Sequence, residues 1–182
     1  MCAVFFNCFI TVIAIWLAST IGLEVLPVSE RYAYILINDE KWWNRRLIQN
    51  RTGKSLHAFV RKGIVGPKKA EMVLFYITHP FREIRGYGEF VERVTGTVDE
   101  LWNSHGHETV FESRKEYTEF LRGRTRATFI RFKNLEVLPQ PIPMQVFSEI
   151  LDIGRMPRSG KYISRESMNQ LVQRELAKFE GV

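Results

Sequence analysis

The sequence predicts an α+β domain built around a small mixed β-barrel. Five short stretches have the apolar or alternating pattern of β-strands, the helices predicted between them are short, and glycines lie where the chain must bend. Long helices between successive early strands are missing, which argues against a doubly wound sheet. At 182 residues, the chain is long enough to bury a substantial core in one domain.

A central pair of strands is the clearest part of this barrel. Residues 72–78 form a continuous apolar and β-branched run, as in a fully buried strand, and residues 86–94 alternate as a half-buried strand does. Pro80 ends the first strand because it has no N–H to donate, and Gly86 and Gly88 indicate a bend or a close approach by another group. Further strands are predicted at residues 31–38, 55–60 and 126–137.

Capping residues locate the helices. Asp39 suits the N-cap of a short helix that carries Trp42 and Trp43, and the pairs Thr97/Glu100 and Ser113/Glu116 have capping-box spacing. Three prolines, at positions 139, 141 and 143, are predicted to interrupt the chain before the fourth helix. Helices are therefore expected at residues 40–48, 98–103, 114–121, 144–151 and 165–179, the last capped by Ser164.

The opening segment, residues 1–24, is apolar and carries no charge before Glu24. It is long enough to span a membrane, but no Lys or Arg precedes it, which argues against a cleaved secretory signal. A membrane anchor, a wrongly assigned start and a buried dimer helix remain as alternatives. All of them leave residues 25–182 as one domain in the cytoplasm, and a body without cysteine fits that reducing compartment.

The charge balance favours a polyanionic partner. The chain has 26 Lys and Arg against 20 Asp and Glu, a formal net charge of +6 that lies entirely on residues 24–182. Basic domains of this kind attract nucleic acid electrostatically. The same charge is also compatible with an ordinary solvated surface.

The order of the predicted elements resembles the PUA-like superfamily. The strand YAYILIN, the Trp-bearing helix, the turn GPKK and the strands MVLFYIT and IRGYGEFVERV are similar to EVE and ASCH domains and to an archaeal PUA-like family of unknown function. The resemblance covers residues 31–137, although Ala70 and Glu71 stand where these domains often have Gly-Asp. It implies a PUA-like mixed β-barrel with short inserted helices and a C-terminal helix, a cleft, and binding of RNA or modified nucleobases.

The two adjacent tryptophans are predicted to have different roles. Neighbouring residues on a helix point about 100° apart, so both cannot face the same surface. Trp43 has Leu47 four residues later and is predicted to lie in the core, whereas Trp42 is followed by Arg45 and Arg46 on a more solvated turn. The resemblance to EVE domains implies that Trp42 stacks on a base, and ordinary packing under a loop is the alternative.

Basic residues around the central strand pair are the other candidates for nucleic-acid contacts. Cations interleaved with aromatic side chains are the pattern that single-stranded nucleic acid needs. The candidate nucleic-acid-binding residues are Trp42, Lys54, Lys68, Lys69, Arg82, Arg85 and Tyr87.

Catalysis and metal binding have weaker support. His105 and His107 have no cysteine partner in the body, so no metal site is predicted. Some ASCH proteins are amidohydrolases with a Gly-x-Lys-x-x-Glu pattern, but here Gly53-Lys54 is followed by SLHA, without the carboxylate. We therefore expect a domain that binds RNA, or a modified base in single-stranded nucleic acid, without catalysis or cofactor. The alternative is a small ASCH-like amidohydrolase acting on a modified nucleoside.

Overall fold

The computed structural model of the protein describes residues 31–177. The predictions about the opening segment, residues 1–24, lie outside these residues. Within the described range, no helix is long and apolar enough to cross a membrane.

Six strands form one mixed sheet in the order β2-β5-β4-β3-β1-β6. The five predicted strands are present, and the sixth, β6, was not predicted because three residues are too few to show a pattern. The strands are β1 (Ala33–Asn38), β2 (Leu56–Lys62), β3 (Met72–Ile77), β4 (Glu83–Thr97), β5 (Arg126–Pro143) and β6 (Lys161–Ile163).

Five α-helices lie in the described part of the chain, each where one was predicted. The second begins with the predicted capping box, because the Thr97 side chain accepts from the Glu100 backbone and the Glu100 carboxylate accepts from the Thr97 backbone N–H. The helices are α1 (Glu40–Arg51), α2 (Val98–His105), α3 (Arg114–Leu121), α4 (Met144–Leu151) and α5 (Arg165–Ala177).

The sheet curls on itself around a core, which confirms the predicted α+β mixed barrel. Strands β1 and β3 run parallel, whereas the other neighbouring strands are antiparallel. Side chains alternate along each strand, so Leu36 of β1, Phe75 of β3, Phe132 of β5 and Phe59 of β2 all point inward into one cluster. Strand β6 pairs only with residues 33–35, so one edge of the second half of β1 and one edge of β2 have no strand partner among the described residues, and a gap remains between them.

The outer faces of the barrel are covered by helices. On one side, α4 and α5 place Phe147 and Leu171 against Ile35 and Leu74 of the sheet. On the other, α2 and α3 place side chains against the outer face of β2 and β5. The last helix is only partly buried within the described residues, because Met168 and Leu171 pack inward whereas Val172 is 45% exposed.

The prediction that the three prolines interrupt the chain was wrong. Strand β5 continues through all of them to Pro143, where it still pairs with β4. Residues two apart in a strand direct their backbone nitrogens to the same side, so all three missing N–H groups fall on one edge. That edge has no neighbouring strand within residues 31–177, because β2 pairs only with the earlier half of β5, between Ala127 and Lys133.

The close approach predicted at Gly86 is made by Trp43. A Cβ on Gly86 would lie 2.6 Å from the Trp43 ring and 2.5 Å from the Glu136 carbonyl oxygen. The missing side chain thus lets the indole of α1 lie directly on β4, which anchors the helix that carries Trp42.

Candidate functional site

A pocket of about 270 Å³ opens where the barrel has its gap between β1 and β2. The start of α1 forms one wall, the second half of β2 forms another, and residues 110–120 close the third. Its lining residues are Ile37, Asn38, Asp39, Trp42, Arg46, Phe59, Val60, Arg61, Lys62, Val110, Phe111 and Phe120.

Trp42 forms part of an aromatic wall in this pocket. Its ring meets Phe111 edge-on at 5.0 Å between centroids and Phe120 at 6.0 Å, and it is only half-buried. Lys41 and Arg45 lie over the indole at 4.5 and 5.2 Å from its centroid. The wall therefore offers apolar edges and faces that a planar aromatic ligand could contact.

Trp43 lies in the core, as predicted. It is 1% exposed and packs against Phe75 at 5.4 Å, with Leu47 beside the same cluster. The helix therefore divides the two tryptophans between the core and the pocket, as the spacing of adjacent residues requires.

Arg46 lies at the base of the pocket and is 1% exposed, contrary to the solvated position expected from sequence. Its guanidinium carbon lies 5.3 Å from the ring centroids of Phe59 and Phe75 and 5.4 Å from that of Phe132. Its Nε and Nη1 have no hydrogen-bond partner among the described residues. Burial lowers the pKa of Arg46 to about 9.

Two other buried polar groups near Arg46 also have no partner within the described chain. They are the Asn38 side-chain nitrogen, at the pocket wall, and both ring nitrogens of His57, which stacks on Phe132. Burial, with the positive charges of Arg46 and Lys54, lowers the pKa of His57 to about 4. Each unsatisfied buried polar group costs about 1–3 kcal/mol of stability, so the presence of several such groups beside one pocket requires an explanation.

The rim of the pocket is basic. Lys62 lies 4.5 Å from the centroid of Phe120, and Arg61 reaches across to donate to the Arg158 carbonyl oxygen at 3.0 Å. Partial burial, together with the charges of Arg122 and Arg124 on the loop after α3, lowers the pKa of Lys62. Lys62, which lines the pocket, therefore belongs to one basic cluster with Arg122 and Arg124.

Lys54, a predicted contact, lies near this cluster but does not line the pocket. Its Nζ donates to the Thr109 carbonyl oxygen at 2.9 Å and to Gln49 at 3.1 Å. Burial, followed by the charge of Arg46, lowers the pKa of Lys54 to about 8.

Glu108 of the His-Gly-His-Glu stretch is held by an arginine. Arg131 donates to its two carboxylate oxygens at 2.7 and 2.6 Å, and His105 lies 3.4 Å away. Although burial raises the pKa of this carboxyl, the Arg131 guanidinium holds it below its ordinary value. The Glu108–Arg131 pair thus fixes the short helix Gly106–Glu108 against β5.

The remaining predicted residues are not brought to the pocket. Lys68 and Lys69 are exposed on the loop before β3, and Arg82 is exposed at the start of β4. Arg85 bonds Glu83 at 2.6 Å and lies 3.8 Å from the centroid of the Phe81 ring. None of these four lines the pocket.

Tyr87 lies on the opposite face of the sheet. Its hydroxyl donates to Glu136, and its ring packs beside the cluster under α4 and α5. It lines a separate, largely apolar groove of about 500 Å³ with Leu138 and Met168. Trp42 and Tyr87 therefore do not share one cleft.

Sequence reasoning missed Arg46, although the signal was present. Arg46 follows Trp43 by three residues, and residues three apart share a helix face. Once Trp43 is placed inward, the same geometry places Arg46 inward as well. Asn38 and Phe59 had no comparable signal, because their exposure to the pocket depends on the gap between β1 and β2.

The chain matches no protein-family model and no curated protein sequence. Its fold is similar to the crystal structure of the ASCH protein from Zymomonas mobilis, with 23% identity over 79% of this chain and 95% of that one, and a TM-score of 0.64. A variant of that protein gives 22% identity over 81% and 99%, with a TM-score of 0.65. The chain thus has the fold of this ASCH protein.

Proposed function

We propose that this domain binds single-stranded RNA and takes one nucleobase, plain or modified, into the pocket beside Trp42. The observation that carries this proposal is the joining of an aromatic wall to a basic rim around a cavity of about 270 Å³. Aromatic surfaces stack on bases whereas cations track the backbone, and single-strand binders combine the two. The resemblance of Trp42 to the base-stacking position of EVE domains supports the same role.

The rim offers a route for the phosphates. Lys62 lines the pocket, Arg122 and Arg124 lie close enough for their charges to lower its pKa, and all three side chains are exposed. A base inserted into the pocket would leave its own phosphate and the next at this rim. The net charge of +6 adds a general attraction for the same partner.

Binding without catalysis suits the groups that line the pocket. Among the described residues that do so, there is no cysteine, serine, threonine or histidine. Its one carboxylate, Asp39, accepts a hydrogen bond from the Thr78 hydroxyl at 3.2 Å. Lys54 is the best nucleophile nearby, but its amine is held by Gln49 and Thr109 outside the pocket. An amidohydrolase would therefore depend on Lys62, the amine that lines the pocket, and no histidine stands among the lining residues to assist it as a base.

The experiment measures affinity for labelled RNA octamers by fluorescence anisotropy over a series of salt concentrations. Two matched variants each lose two cations: Lys62→Ala/Arg124→Ala at the rim, and Lys68→Ala/Lys69→Ala on the loop before β3. Each phosphate contact contributes about 0.7 to the slope of log affinity against log salt. We expect the rim variant to flatten the slope by roughly 1.4 and the loop variant to leave it nearly unchanged.

Two results would count against the proposal. If both variants flatten the salt slope equally, Lys68 and Lys69 contact phosphates as much as the rim does, and the rim is not the specific phosphate path. No detectable binding to any octamer at low salt would reject RNA as the partner, and turnover of a free modified nucleoside would then favour the hydrolase alternative.

A further inference from the structure

The Arg46 guanidinium has hydrogen-bond donors that nothing in the described chain satisfies. Three phenyl rings surround it, with centroids at 5.3, 5.3 and 5.4 Å. Aromatic rings stabilise the cation through their faces, but they accept poorly from N–H groups in the guanidinium plane. Nε and Nη1 therefore remain without acceptors at the base of the pocket.

The neighbouring acids do not supply the missing acceptors. Glu108, the acidic residue that acts electrostatically on nearby Lys54 and His57, is bound through both oxygens by Arg131. Asp39, at the pocket wall, accepts from Thr78. Asn38 adds a further unsatisfied nitrogen on the same wall. The deep end of the pocket is thus rich in donors.

We infer that the pocket selects bases that carry a keto oxygen on the inserted edge, with Arg46 as the residue that determines this specificity. The inference rests on the proposed function and names the class of base bound. A keto base presents acceptors, such as O6 and N7 of guanine or O4 of uracil, to the arginine. Adenine and cytosine carry an amino group at the corresponding position, which would place one donor against another.

The choice of arginine also fits this role. The planar guanidinium donates along fixed directions, and its contact with guanine is the commonest specific base contact of arginine. Here the phenyl rings of Phe59, Phe75 and Phe132 hold the fork in place before any ligand arrives. An arginine held in this way loses little side-chain entropy on binding.

The test compares RNA octamers that differ in one exocyclic group. Uridine octamers carry a keto oxygen at position 4 of the base, where cytidine octamers carry an amino group. Inosine octamers carry a keto oxygen at position 6, where adenosine octamers carry an amino group. We expect the native protein to bind the keto member of each pair about tenfold more tightly or better, because the amino member would leave a buried charged donor without an acceptor.

Two single variants then test whether Arg46 causes the preference for keto bases. Arg46→Met keeps the length of the buried side chain and removes its donors, so both keto-to-amino affinity ratios should fall to about one while the salt-dependent affinity remains. Arg51→Met removes a positive charge from the exposed last turn of the same helix, so it is the matched control and should leave both ratios unchanged. Thermal melts establish that each variant is folded.

Each outcome decides the question. Equal affinity of the native protein for both members of each pair would overturn the keto preference and leave RNA binding intact, and this comparison needs no variant. A preference that persists in folded Arg46→Met would show that Arg46 has only a structural role. No binding of any octamer would reject the proposed function and the inference together.

Discussion

His57 should make the protein lose stability in mild acid, and replacing it with phenylalanine should remove that loss. The side chain is fully buried on β2, stacks on Phe132 at 5.4 Å, and has no hydrogen-bond partner at either ring nitrogen within the described chain. Protonating it would add a positive charge beside Arg46 and Lys54, which already lower its pKa together with burial. The folded protein therefore keeps this ring neutral.

The size of the effect follows from the two pKa values. In the unfolded chain the histidine has its ordinary pKa of 6.5, whereas in the folded protein its pKa is about 4. Between these values the unfolded state binds more protons, so this contribution is complete above pH 6.5 and falls as the pH drops towards 4. From pH 7.5 to 4.5 the loss of unfolding free energy from this group is about 2.5 kcal/mol.

The assay is urea denaturation of the native protein and of His57→Phe at pH 7.5 and 4.5. A phenyl ring has nearly the same shape but cannot be protonated, so the variant should lose about 2.5 kcal/mol less between the two pH values. His79→Phe, at an exposed position, is the matched control and should behave like the native protein. An equal loss in all three proteins would refute the view that His57 is held neutral.

Two further predictions concern the packing around the pocket. Trp43→Ala should lower the unfolding free energy by roughly 3–5 kcal/mol because it empties a core site. Trp42→Ala should lower the unfolding free energy by less than half as much, but it should weaken RNA binding by roughly 1–3 kcal/mol. Equal destabilisation of the two variants in urea titrations would make Trp42 a core residue. Glu108→Gln should cost about 3 kcal/mol because it breaks the buried pair with Arg131, whereas Glu92→Gln, at an exposed partner of the same arginine, should cost less than about 1 kcal/mol. Equal costs would show that burial does not strengthen this pair.

The elements of the fold could be predicted from sequence because their causes are local. Alternation and apolar runs indicate strands through the side-chain period of two, and caps such as Thr97 and Ser113 lie three residues before the backbone N–H groups that they accept from. The inward position of Trp43 followed from helix geometry together with the apolar Leu47 four residues later. Gly86 was correctly marked as a place of close approach, although its partner could not be named.

Other features depended on which strands become neighbours. The three prolines suggested an interruption, but they are accommodated because no strand in the described part of the chain pairs with one edge of the second half of β5. Strand β6 has three residues and exists because β1 offers it an edge to pair with. The loop cations near the central strands were candidates by charge, yet Arg85 is paired with Glu83, and Tyr87 lies on the far side of the sheet.

The sequence alone therefore determined the class of fold, the positions of most helices and strands, and a basic domain with Trp42 as a candidate contact. Only the tertiary structure decided the composition of the pocket. Trp42, Asn38 and Arg46 come together with Phe59 of β2 because the barrel leaves a gap between β1 and β2. Whether a buried charge has a partner depends on every side chain that packs around it, so the unsatisfied donors of Arg46 emerge from packing and not from any local pattern.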